Sequence, residues 1–535
     1  MLGQIMPLLA QDMYKAFHPM AYRSDTEFIY SNFTPRSGKH SNTNLKGIIW
    51  VGIQAVVTFL EDSMQKEFFS LSEDEAVKTY VTPINSALGK EIADKHIRAL
   101  HKLQYLPLEI KALEEGAFVP YGIPAMTVKN TVAGFGWLVN AFEDFFSANL
   151  WPICTSATTA FAFRQRFEES VALKDSGLPI KFYGHDFSFR GMMGIDAAAM
   201  SGFGHLTSFY GSDTIPAALF AKKYYNADFS KDLVFASVDA TEHSVMCSYG
   251  TEGELNSLEH LMENISPKGI LSVVSDTWDF WKLVAEYLPL LKDKIMAREG
   301  TLVIRPDSGG PVKILTGYTI GKIFNDGSLI PGEVYKMGNK YYTGRIVNDE
   351  WGDTWLIDRV EVSESEVKGL IEYLWDIFGG TETPSGFKLL DSHIGAIYGD
   401  SITLEVQDQI INRLERKGFV PSVVLGIGSY TYQYVTRDTH GFAMKATGIK
   451  YAGDTKWTSM QKTPKTDSGS KHSAKGLLHV REFGTELGTI YELVQDVDFA
   501  TEQHGSLKTV FKNGRIFSNT TLEDIRARID NQLSR

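Results

Sequence analysis

Four short stretches carry side chains suited to chemistry on a charged, ring-bearing small molecule. Leu233 to Ser244, LVFASVDATEHS, opens as an apolar run and ends in Ser237, Asp239, Thr241, Glu242, His243 and Ser244. Imidazole titrates near neutral pH, so His243 with Glu242 beside it is a candidate catalytic group, or simply a hydrogen-bonded histidine at a strand end. In Arg305-Pro-Asp-Ser-Gly-Gly310 a guanidinium fork suited to phosphate is followed by the carboxylate of Asp307 and by backbone N–H groups free of side chains. Gly426-Ile-Gly-Ser429 is a second glycine turn, with Gly428 and Ser429 placed for a phosphate. In His185-Asp-Phe-Ser-Phe-Arg-Gly191, Phe187 can stack on a planar ring while Arg190 reaches a substituent; it can equally be a core phenylalanine. Asp213, in GSDT, is either a ligand acceptor or a helix cap.

These stretches share a context. From about residue 180 an apolar run, a polar end and a helical pattern repeat. Ile180–Tyr183, Leu206–Tyr210, Leu233–Ala236, Ile270–Val274, Leu302–Ile304, Ile394–Ile397 and Val423–Leu425 read as strands. Repeated βα units predict a parallel sheet, most simply a barrel, with every polar end on one face. That face gathers His185, Asp186, Asp213, the His243 cluster with Ser237, Ser275, Asp276, Arg305, Asp307, Gly399, Asp400, Gly426, Gly428 and Ser429.

Residues 1–170 mix strand and helix patterns without alternation, including strands over Phe28–Phe33 and Pro107–Glu115 and a buried helix in Gly47–Leu60. Phe142, Phe145 and Phe146 read as core or subunit interface. Residues 317–388 form a long polar excursion with a hairpin at Gly338-Asn339, read as an insertion. Residues 453–476 read as a flexible loop, and KTVFKNGR turns at Asn513-Gly514. The expected division is an α/β barrel over 171–434 packed on an α+β domain built from 1–170 and 435–535.

Composition limits the functions open to the chain. It has 535 residues and a formal net charge of −12, which argues against a general nucleic-acid binder but not against a local basic pocket. Two cysteines, Cys154 and Cys247, with no CxxC, disfavour a disulfide framework or structural zinc. They fit a reducing, cytoplasmic setting. The N-terminus lacks a basic region before its apolar stretch, and the longest apolar run is too short to span a bilayer. Arg437, Lys445, Lys450, Lys462 and Lys471 supply late positive charge, for a pyrophosphate or for a solvated surface.

In chain order, Asp12-Met-Tyr-Lys15, His185 to Gly191, Gly211-Ser-Asp-Thr214, Glu242-His-Ser244, Ser272-Val-Val-Ser-Asp276, Arg305-Pro-Asp-Ser-Gly309 and Thr436-Arg-Asp438 resemble the nicotinamide phosphoribosyltransferase family. Thr509 to Gly514 is similar as well. The resemblance implies a type II phosphoribosyltransferase fold, an irregular α/β barrel on a domain from both chain ends. It implies a homodimer with shared active sites and the reaction of nicotinamide with phosphoribosyl pyrophosphate, giving nicotinamide mononucleotide and pyrophosphate. Mg²⁺, and ATP that phosphorylates His243, are implied too.

Carried over, Phe187 and Tyr14 of the other subunit sandwich the nicotinamide ring, Asp213 accepts from its amide, and Arg190 and Arg305 line the pocket. Asp307, Gly399 and Asp400 hold ribose, with Ser237, Ser272 and Asp276 nearby. Gly428 and Ser429 meet the 5′-phosphate, and Arg36, Arg437, Lys445 and Lys462 meet pyrophosphate or ATP. Asp276 and Asp307 are the candidate metal ligands, and His243, Asp307 and Glu242 the catalytic set. Ser429 departs from the family's usual glycine, and Ala443 from the serine of some members. A nicotinate phosphoribosyltransferase, which a carboxylate at 213 disfavours, and a non-catalytic nucleotide-binding dimer are the competing readings.

Overall fold

The computed structural model describes residues 5–321, 333–348, 354–399, 402–461, 474–485 and 488–534. Both chain ends build one antiparallel sheet. Its strands run in the order Thr458–Ser459, Ala443–Tyr451, Thr26–Thr34, Met126–Asn130, Leu108–Ala112, Lys508–Lys512 and Arg515–Ile516. Thr26–Thr34 is central, with Thr34 opposite Ala443 and Phe33 opposite Met126. Alternation along this strand sends Ile29 and Phe33 into the main core and Tyr30 to the opposite face, against Leu477 and Leu478. The sheet is therefore covered on both sides.

A 27-residue helix, Glu143–Glu169, joins this sheet to the rest. At 1.5 Å per residue it is about 40 Å long. Phe145, Phe146, Leu150 and Cys154 belong to the core of the chain-end sheet. Ala160, Phe163 and Phe167, further along, belong to the second core. The Phe142, Phe145 and Phe146 group is thus core within the chain.

The second core surrounds a parallel sheet ordered Gly211–Ser212, Gly184–Asp186, Val423–Ile427, Ile394–Tyr398, Glu299–Arg305, Lys268–Val274 and Asp239–Ala240. Every pairing is parallel. Ala236, three residues before the last strand, bridges in parallel to Gly211 at the far edge. One stretch of chain is therefore bonded to both edges, and the sheet closes on itself as an irregular barrel. Leu271, Val273, Leu302, Ile304, Ala396 and Leu425 pack outward against Leu283, Leu291, Leu374, Ile410 and Leu414 of the surrounding helices. Period two on the strands meets period 3.6 on the helices.

Three expected strands are displaced. Ile180–Phe182 is a 3₁₀ turn and the strand is Gly184–Asp186, so His185 lies within it. Leu206 closes the helix Ile195–Leu206, and the strand that follows is Gly211–Ser212. Leu233 is exposed, and the paired residues are Ala236 and Asp239–Ala240. The cause is common to all three. These strands are two or three residues long and polar because they form the barrel's mouth, while the apolar residues before them pack as turns or helix ends.

Gly47–Leu60 divides into the strand Gly47–Ile49 and the helix Ile53–Met64. The hairpin at Gly338-Asn339 is present, with Met337 opposite Lys340. It belongs to a four-stranded sheet completed by Thr319–Ile320 and Thr354–Val362. The next helix, Leu370–Phe378, buries Leu370, Ile371 and Leu374 in the barrel's own core. Asn513-Gly514 turns the chain between Lys508–Lys512 and Arg515–Ile516, both with positive φ as a tight hairpin turn requires. Among the described residues no helix is long and apolar enough to cross a membrane.

Candidate active site

The parallel strands end together, and their C-terminal residues form one continuous set of contacts. At one side stands Phe187, half-buried, with its ring stacked on His185 at 4.4 Å between centroids. His185 and Phe187 are two apart on one extended segment and so share a face. The His185 Nε2 lies 2.9 Å from Asp213 Oδ1. Ser237 Oγ donates to the same oxygen at 2.6 Å. Asp213 is not the helix cap: Thr214 occupies that position before Ile215–Tyr224. Burial raises the Asp213 carboxyl pKa, but the His185 and Ser237 hydrogen bonds and the charge of Arg305 outweigh it. The net pKa lies below the ordinary value, so the carboxylate is ionised at neutral pH.

Arg305 connects the two sides. Its guanidinium carbon lies 5.7 Å from the centre of the Phe187 ring. It donates to the Thr241 carbonyl at 3.4 Å and lies 3.7 Å from Asp307. Its Nε is buried with no hydrogen-bond partner among the described residues. A buried guanidinium N–H is costly to leave unpaired, so this donor suits an incoming anionic oxygen. Gly399 leaves the room: a Cβ there would lie 2.2 Å from Asp307 Oδ1 and 3.1 Å from Arg305 Nε.

On the far side the Asp307 N–H donates to Asp276 Oδ2 at 3.1 Å. Asp276 Oδ1 meets His243 Nε2 at 3.1 Å. Asp276 is nearly buried, while His243 is 47% exposed and open to a reagent from solution. Glu242 does not orient the imidazole as expected. Its carboxylate accepts from Ser244 Oγ, because it precedes the short helix His243–Cys247 and turns along it. Asp276, 33 residues away in sequence, faces the ring instead.

Among the described residues no cluster of three or more His, Cys, Asp or Glu is arranged to hold a metal. Mg²⁺ commonly takes one or two carboxylates and fills its other positions with waters and substrate phosphates. Asp276 and Asp307, joined by one hydrogen bond at the mouth, fit that smaller requirement.

Other expected residues stand apart. Gly428 precedes the helical turn Ser429–Gln433, and Ser429 lies against Gly191, where a Cβ would meet its Oγ. Ser272 is buried, its Oγ without a hydrogen-bond partner among the described residues. Arg190 is exposed with no hydrogen bond or ion pair among the described residues. Tyr14 is 62% exposed on the 3₁₀ turn Met13–Phe17. The neighbouring Lys15 is buried and paired with Glu143 at 2.9 Å, and Lys445 lies 3.6 Å from that same glutamate. Arg36 donates to the Gly441 carbonyl, and exposed Arg437 pairs loosely with Asp438. Tyr14, Arg36, Arg437 and Lys445 all lie with the chain-end sheet, and among the described residues none makes a hydrogen bond, ion pair or ring contact with the barrel-mouth residues. Asp400, Lys462 and Lys471 lie outside the described residues.

Sequence reasoning set His185 on the mouth face but gave it no role beside Asp213 and Phe187. The signal was present in its two-residue spacing from Phe187, once the strand is placed at 184–186 rather than 180–183.

A sequence profile of the Nicotinate phosphoribosyltransferase (NAPRTase) family matches residues 182–514. The chain is 40% identical over 543 aligned residues to a nicotinamide phosphoribosyltransferase of Acinetobacter baylyi, covering 99% of this chain and 98% of that one. It is 33% identical to a nicotinamide phosphoribosyltransferase of Mycoplasma pneumoniae, covering 86% and 92%. The fold is similar to that of a nicotinate-nucleotide pyrophosphorylase from Pyrococcus furiosus, with a TM-score of 0.54 at 12% identity, over 99% of this chain and 96% of that one. On the strength of the profile match and the full-length relatives, the chain belongs to the nicotinate phosphoribosyltransferase (NAPRTase) family and, within it, with the nicotinamide phosphoribosyltransferases.

Proposed function

We propose that the protein transfers the phosphoribosyl group of phosphoribosyl pyrophosphate to nicotinamide, giving nicotinamide mononucleotide and pyrophosphate for NAD salvage. One observation carries this reading. A stacking wall, an ionised amide acceptor, a guanidinium with a free buried donor and a carboxylate-backed histidine follow one another without a break around one barrel mouth.

The residues divide the work. Phe187 holds the pyridine ring, and Asp213 accepts from the carboxamide N–H. The C1′–oxygen bond of the ribose breaks, its electron pair leaving with pyrophosphate, as the pyridine nitrogen lone pair forms the new bond. That nitrogen carries no proton, so no general base is needed. Positive charge develops on the sugar and negative charge on the leaving group, and Arg305 supports the latter. Asp307, over Gly399, is placed for ribose hydroxyls. Mg²⁺ held by Asp276 and Asp307 would supply further charge neutralisation to the pyrophosphate oxygens. ATP phosphorylates His243, which Asp276 orients from behind.

Tyr14, Arg36, Arg437 and Lys445 reach a barrel mouth only in a homodimer, where they serve the neighbouring subunit's site. Exposed apolar side chains support this pairing. Tyr14 stands with Met13 and Phe17, while Met193, Tyr430 and Tyr434 are exposed beside the mouth. Free Cys154 and Cys247 suit a reducing, cytoplasmic setting.

The family's description favours a second base, nicotinate. An ionised Asp213 opposes it by like-charge repulsion. Assaying product from phosphoribosyl pyrophosphate with each base separates the two; equal or greater use of nicotinate by the wild type would overturn the proposal.

A further inference from the structure

Both hydrogen bonds to the Asp213 carboxylate end on one oxygen. His185 Nε2 and Ser237 Oγ meet Oδ1, and Oδ2 has no hydrogen-bond partner among the described residues. The two donors come from opposite sides. His185 lies on the strand paired with Gly211–Ser212, and Ser237 follows Ala236, which bridges to Gly211 across the barrel's seam. A carboxylate gripped through one oxygen from both sides cannot exchange its oxygens by rotating about Cβ–Cγ without breaking both bonds.

His185 is itself held. It is buried, stacked on Phe187, and has its Nδ1 close to Gly211, where a Cβ would lie only 2.9 Å away. Facing an ionised acceptor, its Nε2 must carry the proton.

We propose that His185 and Ser237 are specificity-determining positioning residues: they saturate Oδ1 of Asp213 and so reserve Oδ2 as the acceptor for the substrate's carboxamide. This deepens the function proposed above and rests on it. A pocket presenting one fixed, ionised, unpaired oxygen selects a ligand that donates there and penalises an anionic isostere that cannot. His185 also ties the stacking wall to the acceptor, so ring and amide are registered together.

Steady-state kinetics with both bases on His185→Phe, His185→Gln, Ser237→Ala and Ser237→Thr tests the inference. The phenylalanine keeps a ring against Phe187 and removes the donor; glutamine and threonine restore one. His185→Phe and Ser237→Ala should raise the KM for nicotinamide about tenfold, change the KM for phosphoribosyl pyrophosphate by less than about twofold, and narrow the nicotinamide-to-nicotinate ratio of kcat/KM. The glutamine and threonine variants should recover part of both effects. Ser237 is exposed, so its alanine variant decides the matter should His185→Phe fold poorly. An unchanged ratio in folded Ser237→Ala, or a fall in kcat alone that the conservative variants do not repair, would overturn the inference. Wild-type turnover of nicotinamide is read in the same experiment, so failure of the reaction itself is distinguished from failure of the positioning role.

Discussion

Asp213 and His243 occupy opposite ends of one contact chain and control different properties. Nicotinamide and nicotinate differ by NH₂ against O⁻. A charge-assisted hydrogen bond contributes about 1.5–3 kcal/mol, and repulsion of the acid acts in the same direction. Wild type should therefore prefer nicotinamide by at least about tenfold in kcat/KM. Asp213→Asn should shrink that ratio by removing the repulsion while Phe187 still stacks; a proportional loss on both bases would count against the assignment. At the other end, His243→Ala should abolish ³²P transfer from γ-labelled ATP yet keep ATP-independent turnover, because the substrate-holding side chains remain. Asp276→Asn should lower ATP stimulation several-fold, since the imidazole loses its anionic partner, whereas Glu242→Gln should leave it nearly intact. The reverse order would restore Glu242 as the orienting group. Sequence adjacency suggested Glu242; the fold chose a carboxylate on the next strand. Adjacency along the chain is a poor guide at a barrel mouth, where the nearest neighbours come from other strands.

At the scale of elements, the βα rhythm was legible wherever strands are long enough to show it. Lys268–Val274, Glu299–Arg305, Ile394–Tyr398 and Val423–Ile427 are all marked by apolar runs. The short mouth strands were not legible, because two or three polar residues carry no periodicity. Two elements give predictions of their own. Gly399 follows the strand Ile394–Tyr398 where Asp307 and Arg305 would crowd a Cβ, so Gly399→Ala should cost at least about tenfold in kcat/KM for phosphoribosyl pyrophosphate. An unimpaired Gly399→Ala enzyme would show that the crowding relaxes freely. Glu254 begins the helix Glu254–His260 and is 3% exposed, with Oε1 lacking a partner among the described residues. Burial lifts its pKa from 4.5 to about 7, Asp279 adding and Lys282 opposing. Between those values the folded protein holds a proton that the unfolded chain has released, so stability falls as pH rises through this window. Glu254→Gln should raise Tm relative to wild type at pH 8 and do less at pH 5; equal shifts at both pH values would contradict a proton-linked cost.

Over the whole molecule, most of the expected site residues that the structure describes fall into two groups with no hydrogen bond, ion pair or ring contact between them. His185, Phe187, Asp213, Arg305, Asp307, Asp276 and His243 touch one another around the barrel, while Tyr14, Arg36, Arg437 and Lys445 lie on the chain-end domain. Both groups were legible in the sequence as residue types, and the expected division at 1–170 and 435–535 against 171–434 already set them apart; how the antiparallel sheet and the barrel are held along the Glu143–Glu169 helix was not legible, because it depends on packing between distant segments. The homodimer proposed above would resolve the separation by setting each chain-end group over the other subunit's barrel, using two copies of one contact. Tyr14→Ala and Arg305→Ala should each be nearly inactive alone. A hybrid dimer of the two carries both lesions in one site and neither in the other. After full exchange of equal amounts, half the dimers are hybrids with one intact site of two, so activity should recover to about a quarter of wild type. Mixed dimers demonstrated by tandem purification through a different affinity tag on each variant, without recovered activity, would place Tyr14 outside its neighbour's site.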